Sequence, residues 1–235
     1  MTLMEAMALV AIGGVAGFIN VLSAGGSMLT LPLLMFLGLP AQVANGTNRV
    51  AITLQSVTAV GSFLRAGHSN LAVSIRLSIP AVAGSLLGAW TASWIPEASV
   101  FMLLPQPRLD TRALTPDRLG LVEYLALFLI GLYGGFIQVG VGALFIVVLY
   151  RMLKIDLPQV NVIKVFIILV YTLPALAIFA TKGQVLWVTG LVLALGNMAG
   201  AMMAVKVNMG PKGAQWIKWL TLVMVAAILL RLILY

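Results

Sequence analysis

Asn20-Val21-Leu22-Ser23-Ala24-Gly25-Gly26-Ser27 interrupts one long apolar stretch, and Gln138-Val139-Gly140-Val141-Gly142-Ala143 interrupts another. Each break follows a Gly-Phe-Ile triplet, Gly17-Phe18-Ile19 and Gly135-Phe136-Ile137. Each precedes an apolar run, a Leu-Pro pair (Leu39-Pro40, Leu157-Pro158) and a polar cluster that opens on Asn45 or Asn161. An apolar helix broken at corresponding places in two halves of a chain points to a binding site within a membrane.

Composition sets the solvent. The chain is 62% hydrophobic and 9% charged, whereas soluble domains carry about 25% charged residues. Several windows hold roughly 20 apolar residues, enough to span about 30 Å of hydrocarbon. The expected fold is all-α, a polytopic transmembrane bundle of seven or eight helices in two related halves with broken helices. The formal charge of +8 is no nucleic-acid signal, because the basic residues gather at helix ends, where they orient the segments. With no cysteine, neither a disulfide framework nor a thiolate metal site can form. Met1 to Glu5 carries no Lys or Arg, so the first apolar stretch is expected to be retained rather than cleaved as a signal peptide.

The first half, residues 1–105, reads as segments over 3–39, 42–64 and 71–95, with a stunted fourth element. Ala98 to Leu104 is an apolar patch of about seven residues, too short to cross a bilayer at 1.5 Å per residue. A polar loop, 106–119, leads to the second half, 120–235, with segments over 121–150, 159–181, 184–207 and 214–234. Arg65 and Arg76, Arg151 and Lys154, and Lys206 and Lys212 mark three basic loops, all expected in the cytoplasm. Two topologies satisfy this. Either the broken segments each cross once, with the N-terminus inside, or they are hairpins that turn back, with the N-terminus outside and residues 97–105 crossing.

Two breaks facing each other near mid-membrane would present helix N-termini, whose free amides and dipoles attract anions. Glycine lets backbone approach a ligand closely, which singles out Gly25, Gly26, Gly140 and Gly142. Asn20, Ser23, Ser27 and Gln138 would add neutral donors; tight helix packing is the competing reason for small residues there. The cluster Asn45-Gly46-Thr47-Asn48-Arg49 and the stretch Asn161 to Lys164 share an i, i+3 polar spacing, which falls on one helix face. Lys164 stands in an apolar helix, where an ionisable group costs roughly 2.5–3.5 kcal/mol and usually has a function; snorkelling to the interface is the alternative for it and for Arg49. Gln55 and Asn197 read as helix-packing residues. Glu5 and Glu123 sit near helix starts, and Asp156 and His68 in loops. No buried carboxylate relay for protons is in the pattern. The simplest mechanism is uniport or channel-like release of an anion, favoured by about 2.3 kcal/mol per charge per 100 mV.

At Gly17 to Ser27, Leu31-Pro32-Leu33-Leu34, Gly38-Leu39-Pro40 and Ala44 to Arg49, the chain resembles the TauE/SafE sulfite exporter family, also called the 4-toluene sulfonate uptake permease family. Gly135 to Lys164 resembles its second repeat more loosely, with no proline to match Pro32. The resemblance implies an inner-membrane, multi-pass protein of about eight helices in two repeats. It implies transport, often export, of sulfite, sulfonates or related organosulfur acids. The partners implied are a small anionic substrate and the lipid bilayer, with a homo-oligomer left open and no nucleic acid. No cofactor or metal is implied. An enzyme would need a Ser-His pair, paired Asp residues or a His cluster inside the segments, and none occurs. A structural or assembly subunit and a passive anion channel are the competing readings.

Overall fold

The computed structural model describes residues 1–68, 70–94 and 120–234. Among them the chain forms nine helices and no strands: α1 (Leu3–Leu22), α2 (Ser27–Phe36), α3 (Ala41–Arg65), α4 (Leu71–Ala92), α5 (Leu121–Phe136), α6 (Val141–Leu153), α7 (Leu157–Thr181), α8 (Trp187–Met209) and α9 (Gly213–Leu234). Each of the two broken segments is a pair of helices. The apolar patch Ala98 to Leu104 and the loop 106–119 lie outside the described residues.

Among the described residues, α1, α4, α7 and α8 are long and apolar enough to cross a membrane. α3 has the length, 25 residues, but Asn45 to Arg49 lower its apolar character. The distribution of side chains is that of a membrane protein. Ile79, Leu195 and Met203 face outward, while Asn48, Arg49, Asn161, Lys164 and Asn197 are fully buried. In a hydrocarbon solvent the helix supplies every backbone hydrogen bond itself, and polar side chains gain by turning inward.

Two helix pairs pack through glycine at backbone distance. Gly13 and Gly17 of α1 face Leu193 and Asn197 of α8, while Gly196 and Gly200 of α8 face Val10 and Gly14 of α1. Gly84 and Gly88 of α4 likewise meet Phe128 and Leu132 of α5, and Gly131 and Gly135 of α5 meet Ala81 and Ser85 of α4. A Cβ at Gly17 or Gly88 would overlap a facing carbonyl. Small residues four apart clear one face of a helix, so dispersion contacts replace the hydrophobic effect that lipid cannot supply. In both pairs the contacts advance in the same direction along the two chains, so the partners run parallel.

These contacts fix the run of every helix. Phe63 packs with Val162, and Asn161 donates to Asn208 across 2.8 Å. Arg76 donates to Tyr124 across 2.8 Å. The three basic loops therefore share one end of the bundle. Gln184 reaches the Ser93 carbonyl at 3.1 Å and Lys182 lies 3.8 Å over the Trp94 ring, which marks the opposite end. α1 enters from that opposite end beside α8. α2 then turns back, because Leu31 and Leu34 share a core cluster with Leu9 and Ala44. α5 enters from the basic end, and α6 returns to it, with Leu149 and Met152 beside Leu127 and Val160. The two hairpins come from opposite ends, and their tips meet inside the bundle.

Substituting Gly200→Leu drives a side chain into the α1 backbone. It is expected to lower the unfolding temperature of the detergent-solubilised protein, at a cost of about 1–3 kcal/mol. Gly61 of α3 has open space where a Cβ would stand, so Gly61→Ala is expected to be neutral or to add up to about 1 kcal/mol. Equal unfolding temperatures for Gly200→Leu and the parent would contradict this packing.

Candidate functional site

Each tip turns on a glycine in the left-handed region. Gly25 has φ 103° and Gly140 has φ 73°, conformations that a Cβ disfavours. After Gly25 the chain starts α2, and the Gly26 amide donates to Asn20 Oδ1 at 2.8 Å. After Gly140 it starts α6, where the Ala143 amide donates to the Gly140 carbonyl at 3.1 Å and the two amides before it have no intrahelical acceptor. The tips touch: a Cβ on Gly142 would lie 2.7 Å from the Ser23 carbonyl oxygen and 3.0 Å from the Ala24 methyl.

A small cavity, about 20 Å³, lies between the tips. Asn20, Ala24, Gly25 and Ser27 line it from the first hairpin, and Gln138, Val141 and Gly142 from the second. α3 adds Ile52, Gln55 and Ser56, and α7 adds Val165, Ile168 and Tyr171. No lining side chain is acidic. Ser56 Oγ, Tyr171 Oη and Gln138 Oε1 are buried and make no hydrogen bond to protein. Gln138 Nε2 donates to Thr172 Oγ1 at 2.8 Å. Because a hydroxyl can donate or accept, a half-turn of this amide would offer its NH2 to the cavity instead. The wall is thus neutral, rich in donors, and faced by the positive ends of two helix dipoles. At this volume the space suits roughly one water molecule.

The residues expected at a site therefore divide. Asn20, Gly25, Ser27, Gln138 and Gly142 line the cavity, and Gly26 and Gly140 shape the turns. The others hold helices together. Asn48 accepts from Thr30 at 2.7 Å and donates to Ser27 at 3.2 Å, tying α2 to α3. Thr47 accepts from the Leu186 amide at 3.0 Å. Asn45 donates to the Phe136 carbonyl at 2.8 Å. Asn161 binds Asn208, and Ser23 Oγ lies 2.9 Å from Thr221 Oγ1. Gln55 does pack, accepting from Asn197 at 3.1 Å and Asn20 at 3.4 Å, and it also lines the cavity. Ser56 and Tyr171 were not expected. At Tyr171 the signal was a hydroxyl on an otherwise apolar helical face, and at Ser56 a hydroxyl in line with Asn45, Arg49 and Thr53; single hydroxyls of this kind are common in membrane helices.

The two buried cations do matching work. Lys164 of α7 donates to the carbonyls of Asn20, Val21 and Ser23 at 3.2, 2.9 and 2.7 Å. Arg49 of α3 donates through Nη2 to the carbonyls of Gly134 and Gly135. Each caps the C-terminal end of the first helix in the other hairpin, where orphan carbonyls and the negative dipole end call for a cation. All three ammonium protons of Lys164 are engaged, and Lys164 does not line the cavity. Arg49 Nε and Nη1 have no protein partner, and the guanidinium lies 4.8 Å from the centre of the Phe179 ring.

The family described as sulfite exporter TauE/SafE matches residues 9–232. The chain belongs to this family. A protein of Sinorhizobium sp, named as the probable membrane transporter protein ORF9, is 28% identical over 93% of this chain and 88% of its own length. A probable membrane transporter protein of Haemophilus influenzae is 28% identical over 91% of the chain and 88% of its own. The probable membrane transporter protein YfcA of Escherichia coli is 24% identical over 94% of the chain and 86% of its own. No solved structure matches the chain significantly. The protein is a membrane transporter of this family, not an enzyme, and a small substrate and the bilayer are its partners.

Lys164→Met would leave three carbonyls without their donor. It is expected to lower the stability of the anion-free protein, by on the order of 2 kcal/mol, read as thermal unfolding in detergent. A lysine that acted only on bound anion would leave that temperature unchanged.

Proposed function

We propose that this transporter exports a small anion, a sulfur oxyanion such as sulfite or an organosulfonate, bound between the tips of the two hairpins. The observation that carries the reading is the convergence of two helix N-termini, Ser56 and Tyr171 on one buried cavity with no acidic side chain in its wall. Such a wall offers hydrogen-bond donors to an acceptor-only ligand and no carboxylate to a cation. Asn20, Gly25, Ser27, Gln138 and Gly142 form the first contacts. Ser23, Gly26, Gly140, Asn45, Thr47, Asn48, Asn161 and Lys164 hold those contacts in place.

The chain is two related halves of inverted topology, 1–105 and 120–235, joined by 106–119. The α1–α2 hairpin enters one half from the end away from the basic loops, and the α5–α6 hairpin enters the other from the basic end. The basic loops lie in the cytoplasm and the N-terminus outside, in the inner membrane of the cell. Alternating access follows from parting the tips toward one end or the other, as inverted repeats allow. A potential negative inside drives each exported negative charge by about 2.3 kcal/mol per 100 mV, so uniport suffices. A homo-oligomer is compatible with this scheme and not required by it.

The test is a thermal-shift series on purified protein with sulfite, sulfate, sulfoacetate, taurine and chloride, paired with efflux from proteoliposomes. One sulfur anion is expected to stabilise the protein. Tyr171→Phe and Ser56→Ala each remove a hydrogen bond to a charged group and are expected to weaken that anion by about tenfold or more. Flat curves for every anion, with no efflux, would overturn the reading and favour a structural subunit.

A further inference from the structure

Four of the seven buried polar residues of α3 share one stripe, while Thr47, Asn48 and Gln55 lie on other faces and are hydrogen-bonded to other helices or their connections. Asn45, Arg49, Thr53 and Ser56 stand at i, i+4, i+8 and i+11, which at 3.6 residues per turn keeps them within roughly 80° of arc. Their exposures are 3%, 0%, 8% and 1%. Each keeps a polar atom that no protein group satisfies: Asn45 Oδ1, Arg49 Nε and Nη1, Thr53 Oγ1 and Ser56 Oγ. Other hydroxyls of the same helix behave in the ordinary way. Thr58 donates to the Leu54 carbonyl at 2.9 Å and Ser62 to the Thr58 carbonyl at 2.7 Å. Thr53 and Ser56 decline that back-bond, although it is available to any helical Ser or Thr. Ser56 opens on the cavity. Beside Asn45, Gly46 packs against the Gln184 carbonyl and Thr47 caps the Leu186 amide, both at the end away from the basic loops.

We infer that this stripe is the anion's route from the cavity toward that end, with Arg49 as a second stop. The inference rests on the reading of the cavity as an anion site and extends it by assigning Thr53, Ser56 and Arg49 to the path. Arg49 fits the task because its Nη2 is anchored on Gly134 and Gly135 while one N–H on Nε and two on Nη1 remain to be offered. A planar guanidinium suits an oxyanion or sulfonate group, which accepts through several oxygens at once. Thr53 stands one turn along, between Arg49 and the cavity, and would hand the ion across with a neutral hydroxyl. Lys164 is no alternative stop, since its donors are spent on α1.

The chain has no cysteine, so Thr53→Cys introduces a single thiol. The purified full chain is alkylated with iodoacetate, an anion, and with iodoacetamide, its neutral counterpart. Both rates are divided by those at His68→Cys in the exposed α3–α4 loop. The expected normalised preference for iodoacetate is roughly tenfold or more, the range over which a focused positive field raises encounter with an anion. Adding Arg49→Gln to Thr53→Cys should abolish the preference. After washing and reconstitution, the alkylated protein should lose at least nine-tenths of its sulfite efflux. Equal normalised rates, no reaction at either reagent, or unchanged efflux after full alkylation would each overturn the path. The labelling preference is independent of substrate. If the parent protein moves no sulfite, the proposed substrate fails while the labelling still decides the stripe.

Discussion

Breaking a helix inside a membrane exposes carbonyls that neither water nor lipid can satisfy, and the reciprocal cationic caps answer this constraint. Lys164 closes the end of α1, and Arg49, with Asn45 beside it, closes the end of α5. A charged side chain at mid-membrane costs roughly 2.5–3.5 kcal/mol on insertion scales. Hydrogen bonds from a charged donor, about 1.5–3 kcal/mol each, offset that cost where several converge. The caps also work across the bundle, since Lys164 of α7 closes α1 and Arg49 of α3 closes α5. The first helix of each hairpin ends where it does with a long helix, α7 or α3, supplying its cap.

The same crossing recurs in the packing. α1 is held by α8 and α5 by α4, each time through glycines four residues apart on both partners. Because these helices touch at backbone distance, side chains cannot slide between them, and each pair behaves as one stiff unit. The tips of α2 and α6 are bound differently. They meet through Gly142 against Ser23 and Ala24 and through side-chain bonds such as Asn48 to Ser27. The tips thus meet at backbone distance as well, but over a single glycine rather than a row of them.

Much of this architecture was legible in sequence because hydrocarbon length and glycine geometry are local constraints. The segments read at 42–64 and 159–181 correspond to α3 and α7 within two residues at each end. Gly25 and Gly140 signalled turns because little else tolerates their backbone angles. The duty of Lys164 was not legible. Its partners lie more than 140 residues away, and a lysine in an apolar helix reads alike whether it meets an anion or a helix end. Ser56 and Tyr171 were silent for another reason. A hydroxyl on a membrane helix is ordinarily hydrogen-bonded, and only three dimensions reveal that these two oxygens have no partner although the Tyr171 ring stacks on Phe145.

The two cations differ in how fully their donors are used. In a symmetric scaffold both caps would use their donors equally, yet Lys164 is saturated and Arg49 retains three N–H groups without a protein partner. Saturation suits a latch, because an ammonium that left its carbonyls to follow an ion would strand three acceptors in the membrane interior. An anchored guanidinium with donors to spare can meet a passing anion without abandoning α5. On the proposed path this asymmetry would let Arg49 meet the ion, on the side of the cavity away from the basic loops, while both hairpins keep their ends closed.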